Sequence, residues 1–438
     1  MSAREIARRV LERVDKGGAW ATLTLDAELS RSGLDERDRR LTSELVYGVL
    51  RHRTRLDRAL AAHADLKKTP PKVRTALRLA AYQLLFLDRV PAYAAVDDAV
   101  EAANAVGAKL GGFANAVLRK LTAEKEPAFP PLAPDASLDA QLAQIEARCS
   151  IPRWILDELT AAVRGETDAT PAARAARVIQ LAEAFADQPD LIARINVRRS
   201  SRIALAAKLE DAGILVRDSA LVPTALILDG AGDPSREQAF IDGEWTVQDA
   251  GAQLVGHFAD PQRHTKILDA CAGVGGKSTH LAELTDDTAT IDAADQSATK
   301  LGLLGETAAR LGLSSIRTRV CDLTDPAAPI YGDYDLIVID APCSGLGVLR
   351  RHPDAKWRLT PDAIPRLAAL QAKLLDAVAT RLAPGGTLVY AVCTFTRAEG
   401  PDQIAAFVKR SGMTLVAERR TWPPDADAFY MARLRRVS

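Results

Sequence analysis

Apolar residues return every three or four positions through the first part of the chain. They fall at Ala7, Val10, Leu11 and Val14, at Leu41, Leu45, Val46, Val49 and Leu50, and at Leu77, Leu79, Ala80, Leu84 and Leu85. That spacing predicts amphipathic helices, each offering one stripe to a shared core. Pro70-Pro71 and Pro91 punctuate them, and Asp35 reads as the cap of a helix running through Arg40. Residues 1–125 are therefore expected to form an all-helical unit. Pro127, Pro130, Pro131 and Pro134 mark residues 126–139 as a linker. Residues 140–240 mix helical spacing with short apolar runs at 191–196 and 225–228, and read as a small α+β subdomain. Beyond them, residues 241–438 alternate strand-like and helix-like patterns, which implies βαβ units and a parallel sheet.

Two of the later apolar runs end in cysteine. Residues 334–340 lead through Ala-Pro to Cys343, and residues 386–392 lead to Cys393. Each reads as a buried parallel strand emptying into a loop, and open α/β sheets bind ligands at those ends. A third strand, residues 266–272, runs into Gly273-Val274-Gly275-Gly276-Lys277-Ser278-Thr279, with a helix expected at 280–284. Glycines let the backbone approach a ligand, and a helix start offers free amides to negative charge. A phosphate-binding P-loop would need glycine where Cys271 stands, so it misses by one residue. A dinucleotide fingerprint needs its third glycine further on than Gly276, which weakens a nicotinamide reading. An S-adenosylmethionine site needs a Gly loop and then acidic strand ends in order. Asp295, Asp322 and Asp340 follow at those places, with Asp292 the local rival of Asp295 for the ribose hydroxyls.

Two thiols at adjacent strand ends fit one demanding reaction. Carbon 5 of cytosine is a poor nucleophile until a thiolate adds to carbon 6. Afterwards the carbon-5 proton must leave and the thiolate must be expelled, so a nucleophilic thiol and a helper are wanted at close range. Asp340, if protonated, would serve as the acid near N3. Spacing alone does not say which cysteine attacks. Carbon 6 of a paired base is stacked, so the target must be single-stranded or extruded. Arg350, Arg351, His352, Lys356 and Trp357 follow Cys343 directly and offer cations and an aromatic face for RNA contact.

Charge sharpens this picture where the whole-chain total does not. The chain is neutral overall, yet residues 1–130 carry 23 Lys and Arg against 17 Asp and Glu. The balance is −4 over residues 131–240 and −2 over the rest. The helical unit is thus the basic part and favours a polyanion. Five cysteines without a C-x-x-C pair argue against a disulfide framework or a zinc ribbon, and for a reducing cytoplasm. No metal is expected. No apolar run is long enough to span a membrane, and a monomer is the expected state.

At these motifs the chain resembles the bacterial RsmB (Sun, Fmu) ribosomal RNA cytosine-5 methyltransferases. Asp340-Ala-Pro-Cys-Ser-Gly-Leu-Gly-Val-Leu-Arg-Arg-His-Pro-Asp-Ala-Lys-Trp is close to the family's fourth motif. Asp269-Ala-Cys-Ala-Gly-Val-Gly-Gly-Lys looks like the first, and Tyr390-Ala-Val-Cys-Thr like the sixth. The likeness extends to Arg194-Ile-Asn196, to Thr246-Val-Gln-Asp-Ala-Gly-Ala-Gln and to Phe429-Tyr-Met-Ala-Arg-Leu. The N-terminal helices are similar to the NusB RNA-binding domain.

The resemblance implies an α/β fold. A Rossmann-like S-adenosylmethionine-dependent domain with a mostly parallel seven-stranded sheet would follow a small α+β subdomain and an all-α NusB-like domain. It implies that Cys393 attacks and that Cys343 assists breakdown of the adduct. Cys271, Ala272, Gly273, Val274, Gly275, Gly276 and Lys277 would hold the methionine end of S-adenosylmethionine, Asp295 the ribose and Asp322 the adenine, with Asp340 near both base and cofactor. The implied substrate is one cytidine of small-subunit (16S) ribosomal RNA. A transfer RNA cytosine-5 methyltransferase shares the catalytic motifs, and a non-catalytic RNA-binding or antitermination factor is the alternative of another class. Gly273-Val274 replaces Ala-Pro in the first motif, which should loosen the loop. Val392 replaces Thr before the nucleophile, and Ala398-Glu399-Gly400 stands where the family often has Glu-Glu-Asn.

Overall fold

The computed structural model describes residues 1–133, 136–164 and 170–436. The chain forms two units: Met1–Asp187 with Leu349–Leu359, and Gln188–Val348 with Thr360–Ser438.

The first unit is helical. Ile6, Ala7, Val10, Leu11 and Val14 of the helix Ala3–Gly17 are buried, in one core with Leu45, Val46, Val49, Leu50 and Leu77. Asp35 caps the helix Glu36–Arg51 by accepting the Asp38 N–H at 2.8 Å. Pro71 takes the first turn of Pro71–Phe86, where its missing N–H leaves no bond unmade. The helices Leu138–Cys149, Arg153–Arg164 and Pro171–Ala186 belong to this unit. The first packs on the helix Arg53–Ala61, where Ser150 Oγ accepts the Arg55 N–H at 3.0 Å. The α+β subdomain expected at 140–240 is therefore divided near residue 187. Of the expected linker, Pro134 and Asp135 lie outside the described residues, and the guanidinium of Arg58 binds the carbonyls of Pro127 and Ala128.

The segment Leu349–Leu359 follows Cys343 in sequence yet belongs to the helical unit. Arg350 and Lys356 are buried. The carbonyl of Arg350 accepts from Arg51 Nη2 at 2.9 Å, and Lys356 Nζ donates to the carbonyl of Arg51 at 2.8 Å. The Trp357 indole donates to the carbonyl of Leu50 at 2.7 Å, and His352 Nδ1 lies 3.4 Å from Thr22 Oγ1. Arg351 is half-buried. The expectation that Arg350, Lys356 and Trp357 reach RNA is corrected by this packing, since Arg350 and Lys356 are buried and the Lys356 and Trp357 side chains are bonded to a helix end; His352 is half-buried against Thr22.

The second unit carries two sheets. The smaller is antiparallel, in the order β2-β3-β1-β4, with β1 Leu191–Ile195, β2 Leu215–Asp218, β3 Ala225–Asp229 and β4 Trp245–Val247. Its last strand lies beyond residue 240, the expected boundary. The larger holds β5 Lys266–Ala270, β6 Thr290–Asp295, β7 Ile316–Val320, β8 Tyr334–Asp340, β9 Leu382–Val392, β10 Thr414–Arg420 and β11 Tyr430–Arg435. Their order is β10-β11-β9-β8-β5-β6-β7. β5 to β9 run parallel, β11 runs antiparallel to β9, and β10, antiparallel to β11, runs in the same direction as β5 to β9. The apolar residues of β5 and the run Leu336–Ile339 of β8 are buried on both faces, as in strands covered by helices on each side. Strand order reverses between β5 and β8, the place where such sheets open a binding crevice. Among the described residues no helix is long and apolar enough to cross a membrane.

Burial, with the charge of Arg51 behind it, lowers the Lys356 pKa to about 7. An unfolded chain would hold that proton to about pH 10.4, so between the two values the unfolded state binds more protons. Stability should rise as pH climbs from 7 towards 10 and be lower and flat, for this group, below 7. In Lys356→Met the rise in thermal midpoint between pH 7 and 9.5 should shrink; an unchanged rise would assign it elsewhere.

Candidate active site

The carboxyl ends of β5, β8 and β9 deliver the chemistry. Asp340 closes β8 opposite Ala391 of β9, and the Ala341 N–H donates to the Ala391 carbonyl at 3.0 Å. Three residues beyond Asp340 and two beyond Ala391, the sulfurs of Cys343 and Cys393 meet at 3.3 Å. Gly347 permits the next contact: a Cβ there would fall 2.7 Å from the Cys393 carbonyl and 1.9 Å from that of Ala428. Its own N–H donates to the Cys393 carbonyl at 3.0 Å.

Cys343 is strongly affected by its surroundings. The hydrogen bond to Cys393, then burial, then the charges of Cys393, Glu399 and Asp340 raise the Cys343 pKa well above the thiol range. Cys343 is therefore held as a thiol, with its sulfur within hydrogen-bond distance of Cys393. Cys271 is also held as a thiol, by burial first and by the charges of Asp340 and Asp295 second.

Lys277 of the helix Gly276–Leu284 binds Asp340 across the β5–β8 reversal. Burial works against its charge, but Asp340 and Asp269 outweigh it and the pKa is raised. Asp340 thus faces the ammonium of Lys277, a proton-bearing neighbour absent from the sequence reading, which made Asp340 an acid only if protonated. The helix also starts at Gly276, one turn before the expected 280.

The loop after β5 turns through left-handed residues, Cys271 at φ 64°, Gly273 at 57° and Gly275 at 84°. A Cβ at Gly275 would fall 2.2 Å from Leu304 Cγ, so glycine is needed there on both counts. Asp295 orders the loop, accepting the Gly273 N–H at 3.0 Å and the Ser297 N–H at 2.8 Å. Asp292 is buried under Tyr334 OH (2.8 Å) and Arg319 Nε (3.1 Å), which leaves Asp295 the better placed of the two for a ligand. Asp322 is exposed and accepts from Thr324 N and Oγ1; these bonds lower its pKa. Beneath the loop, Asp269 is fully buried and accepts from Ser278 Oγ. Burial pushes its carboxyl up to about 7 against that bond, and its Oδ1 has no protein partner.

Two supports were not assigned from sequence. Arg194, at 0 % exposure in β1, donates to the Gly276 carbonyl at 2.7 Å, Gln248 Oε1 at 2.6 Å, Thr279 Oγ1 at 3.0 Å and Glu283 Oε1 at 2.8 Å. It joins the small sheet to the first turn of the loop helix. An arginine inside an apolar run was the available signal. Glu399, also fully buried, accepts from Ser344 N (2.8 Å), Ser344 Oγ (2.6 Å), Thr396 Oγ1 (2.8 Å) and Gln371 Nε2 (3.1 Å). Its place in Ala398-Glu399-Gly400, where the resembled family often has Glu-Glu-Asn, was the available signal.

Fold and site together define an α/β protein of the methyltransferase class, with a ligand crevice at a sheet reversal. The chain belongs to the 16S rRNA methyltransferase RsmB/F family, whose model matches residues 257–435. The NusB family matches residues 1–123, and the RsmF/B-like ferredoxin-like domain residues 151–234. A probable ribosomal RNA small subunit methyltransferase B of Synechocystis is 37% identical, over 93% of this chain and 89% of that protein. Ribosomal RNA small subunit methyltransferase B of Pseudomonas putida is 34% identical, over 100% and 99%. Among solved structures, PH0851 aligns with TM-score 0.78 at 22% identity, over 99% of this chain and 97% of its own. NSun6 from Pyrococcus horikoshii aligns with TM-score 0.56 at 20%, over 64% and 98%. At these identities the structures share the fold.

Arg194→Met would leave Glu283 buried without its cation and should destabilise the protein by about 3–5 kcal/mol. Adding Glu283→Leu should recover part of that loss. Urea denaturation of both variants checks the order, and equal losses would contradict it.

Proposed function

We propose that the protein methylates carbon 5 of a cytidine in small-subunit ribosomal RNA, using S-adenosylmethionine, with Cys393 as nucleophile and Cys343 as its partner in release. The observation that carries the reading is the 3.3 Å approach of two thiols at adjacent parallel strand ends, one of which holds its proton. Named relatives that act on small-subunit ribosomal RNA support the substrate, and free cysteines suit a cytoplasmic setting.

The loop fits the cofactor. Its left-handed turns cradle a ligand, the buried Asp269 Oδ1 lacks a partner below it, and Asp295 and Asp322 offer acceptors at successive strand ends. Residues 271–277 would hold the methionine end, Asp295 the ribose and Asp322 the adenine. When bound, S-adenosylmethionine supplies a methyl group electrophilic enough for carbon 5.

The protein's own groups do the rest. The Cys393 thiolate bonds to carbon 6 of an extruded cytosine, and the double-bond electrons move into the ring towards N3. There the Asp340–Lys277 pair supplies an acceptor to orient the base and an ammonium that balances the charge by hydrogen bonding and keeps its proton. Once carbon 5 carries the methyl group, its proton leaves to a base and that bonding pair restores the double bond. The carbon–sulfur pair departs with Cys393, and the Cys343 thiol donates a hydrogen bond to the leaving sulfur.

Labelled methyl transfer to unmethylated small-subunit ribosomal RNA tests the reading. Cys393→Ala should abolish it, and undiminished transfer would refute the role. Cys343→Ala should accumulate a covalent RNA–protein species on denaturing gels. Label entering transfer RNA instead would reassign the substrate.

A further inference from the structure

The two cysteines are not held alike. Cys393 follows directly on the 11-residue strand β9, and its carbonyl is fixed by Gly347. Cys343 sits in an irregular stretch after β8. Its neighbours are tied down by side chains: the Pro342 carbonyl by Gln371 Nε2 at 3.0 Å, and Ser344 by both oxygens of Glu399. Ser344 Oγ also meets Thr394 Oγ1 at 2.9 Å, beside Cys393. Glu399 in turn binds Thr396 and Gln371, so one buried carboxylate gathers both sides of the Cys343 turn and the segment that follows Cys393.

We propose that Glu399 is a positioning residue that fixes the Cys343 thiol against Cys393 for the release step. The inference rests on the cytosine-5 reading above. The carboxylate is what the place requires: it accepts four hydrogen bonds from neutral donors, two of them from Ser344. A glutamine has a single acceptor oxygen and brings two donors of its own, so it cannot serve the same set. Losing acceptors here frees the turn that carries Cys343. It leaves the strand that carries Cys393 paired on both edges, to β8 and β11. Attack should therefore survive and release should suffer.

The test uses the full-length protein, S-adenosylmethionine and unmethylated small-subunit ribosomal RNA in single turnovers, with Cys343→Ala as the reference. In Glu399→Gln the covalent species should form at close to the wild-type rate and decay at least about tenfold more slowly, since a misplacement near 1 Å can cost on the order of 10²-fold. Cofactor binding by calorimetry should stay within about twofold, because no cofactor-loop residue is touched. Equal loss of formation and decay, or no change in either, would overturn the proposal. Should Glu399→Gln fail to fold, Ser344→Ala decides on the same readout: it removes one of the four bonds and should slow decay by less, with formation intact. If Cys343→Ala itself yields no covalent species with active wild-type protein alongside, the failure is of the cytosine-5 reading rather than of Glu399 alone.

Discussion

Parallel pairing of β8 with β9 is the constraint on which the site depends. With Asp340 set opposite Ala391, the two strands release their chains at the same level of the sheet, and the next few residues bring Cys343 and Cys393 together. A one-residue slip would turn every side chain of one strand to the other face. Both faces of both strands are buried from Leu336 to Ile339 and from Leu388 to Val392, so a slip would exchange side chains of different size between two close-packed layers. Chemistry at the strand ends is thus registered by the core beneath it.

Buried polar groups then hold what the strands deliver. Arg194 grips the first turn of the loop helix from the small sheet, and Glu399 grips the Cys343 turn. Neither arrangement is required for packing, and desolvating a charge is costly unless its bonds are made. Both networks sit where loops must be kept in one conformation while a ligand comes and goes. The Lys277–Asp340 pair does similar work across the sheet reversal.

The sequence was legible where one physical rule dominated. Two-sided burial marked β5 and β8, helical spacing marked the first helices, and the Asp35 cap followed from side-chain chemistry alone. The strand-end cysteines were found by the same rule. It failed where tertiary partners decide. Lys356 and Trp357 look like RNA ligands in a basic run, yet their fate is set by Leu50 and Arg51, some 300 positions earlier in the chain. Glu399 depends likewise on Gln371 and Ser344. The contact of Asp340 with Lys277, 63 residues away, was also not legible from local pattern.

The central claim is that the two cysteines are chemically unequal, one attacking and one assisting release. The most direct measurement is mass spectrometry of the peptide cross-linked to ribosomal RNA carrying 5-fluorocytidine, in which fluorine at carbon 5 blocks the proton loss that release requires. The cross-link should lie on Cys393. A cross-link on Cys343, or none from protein that methylates unsubstituted RNA, would contradict the account.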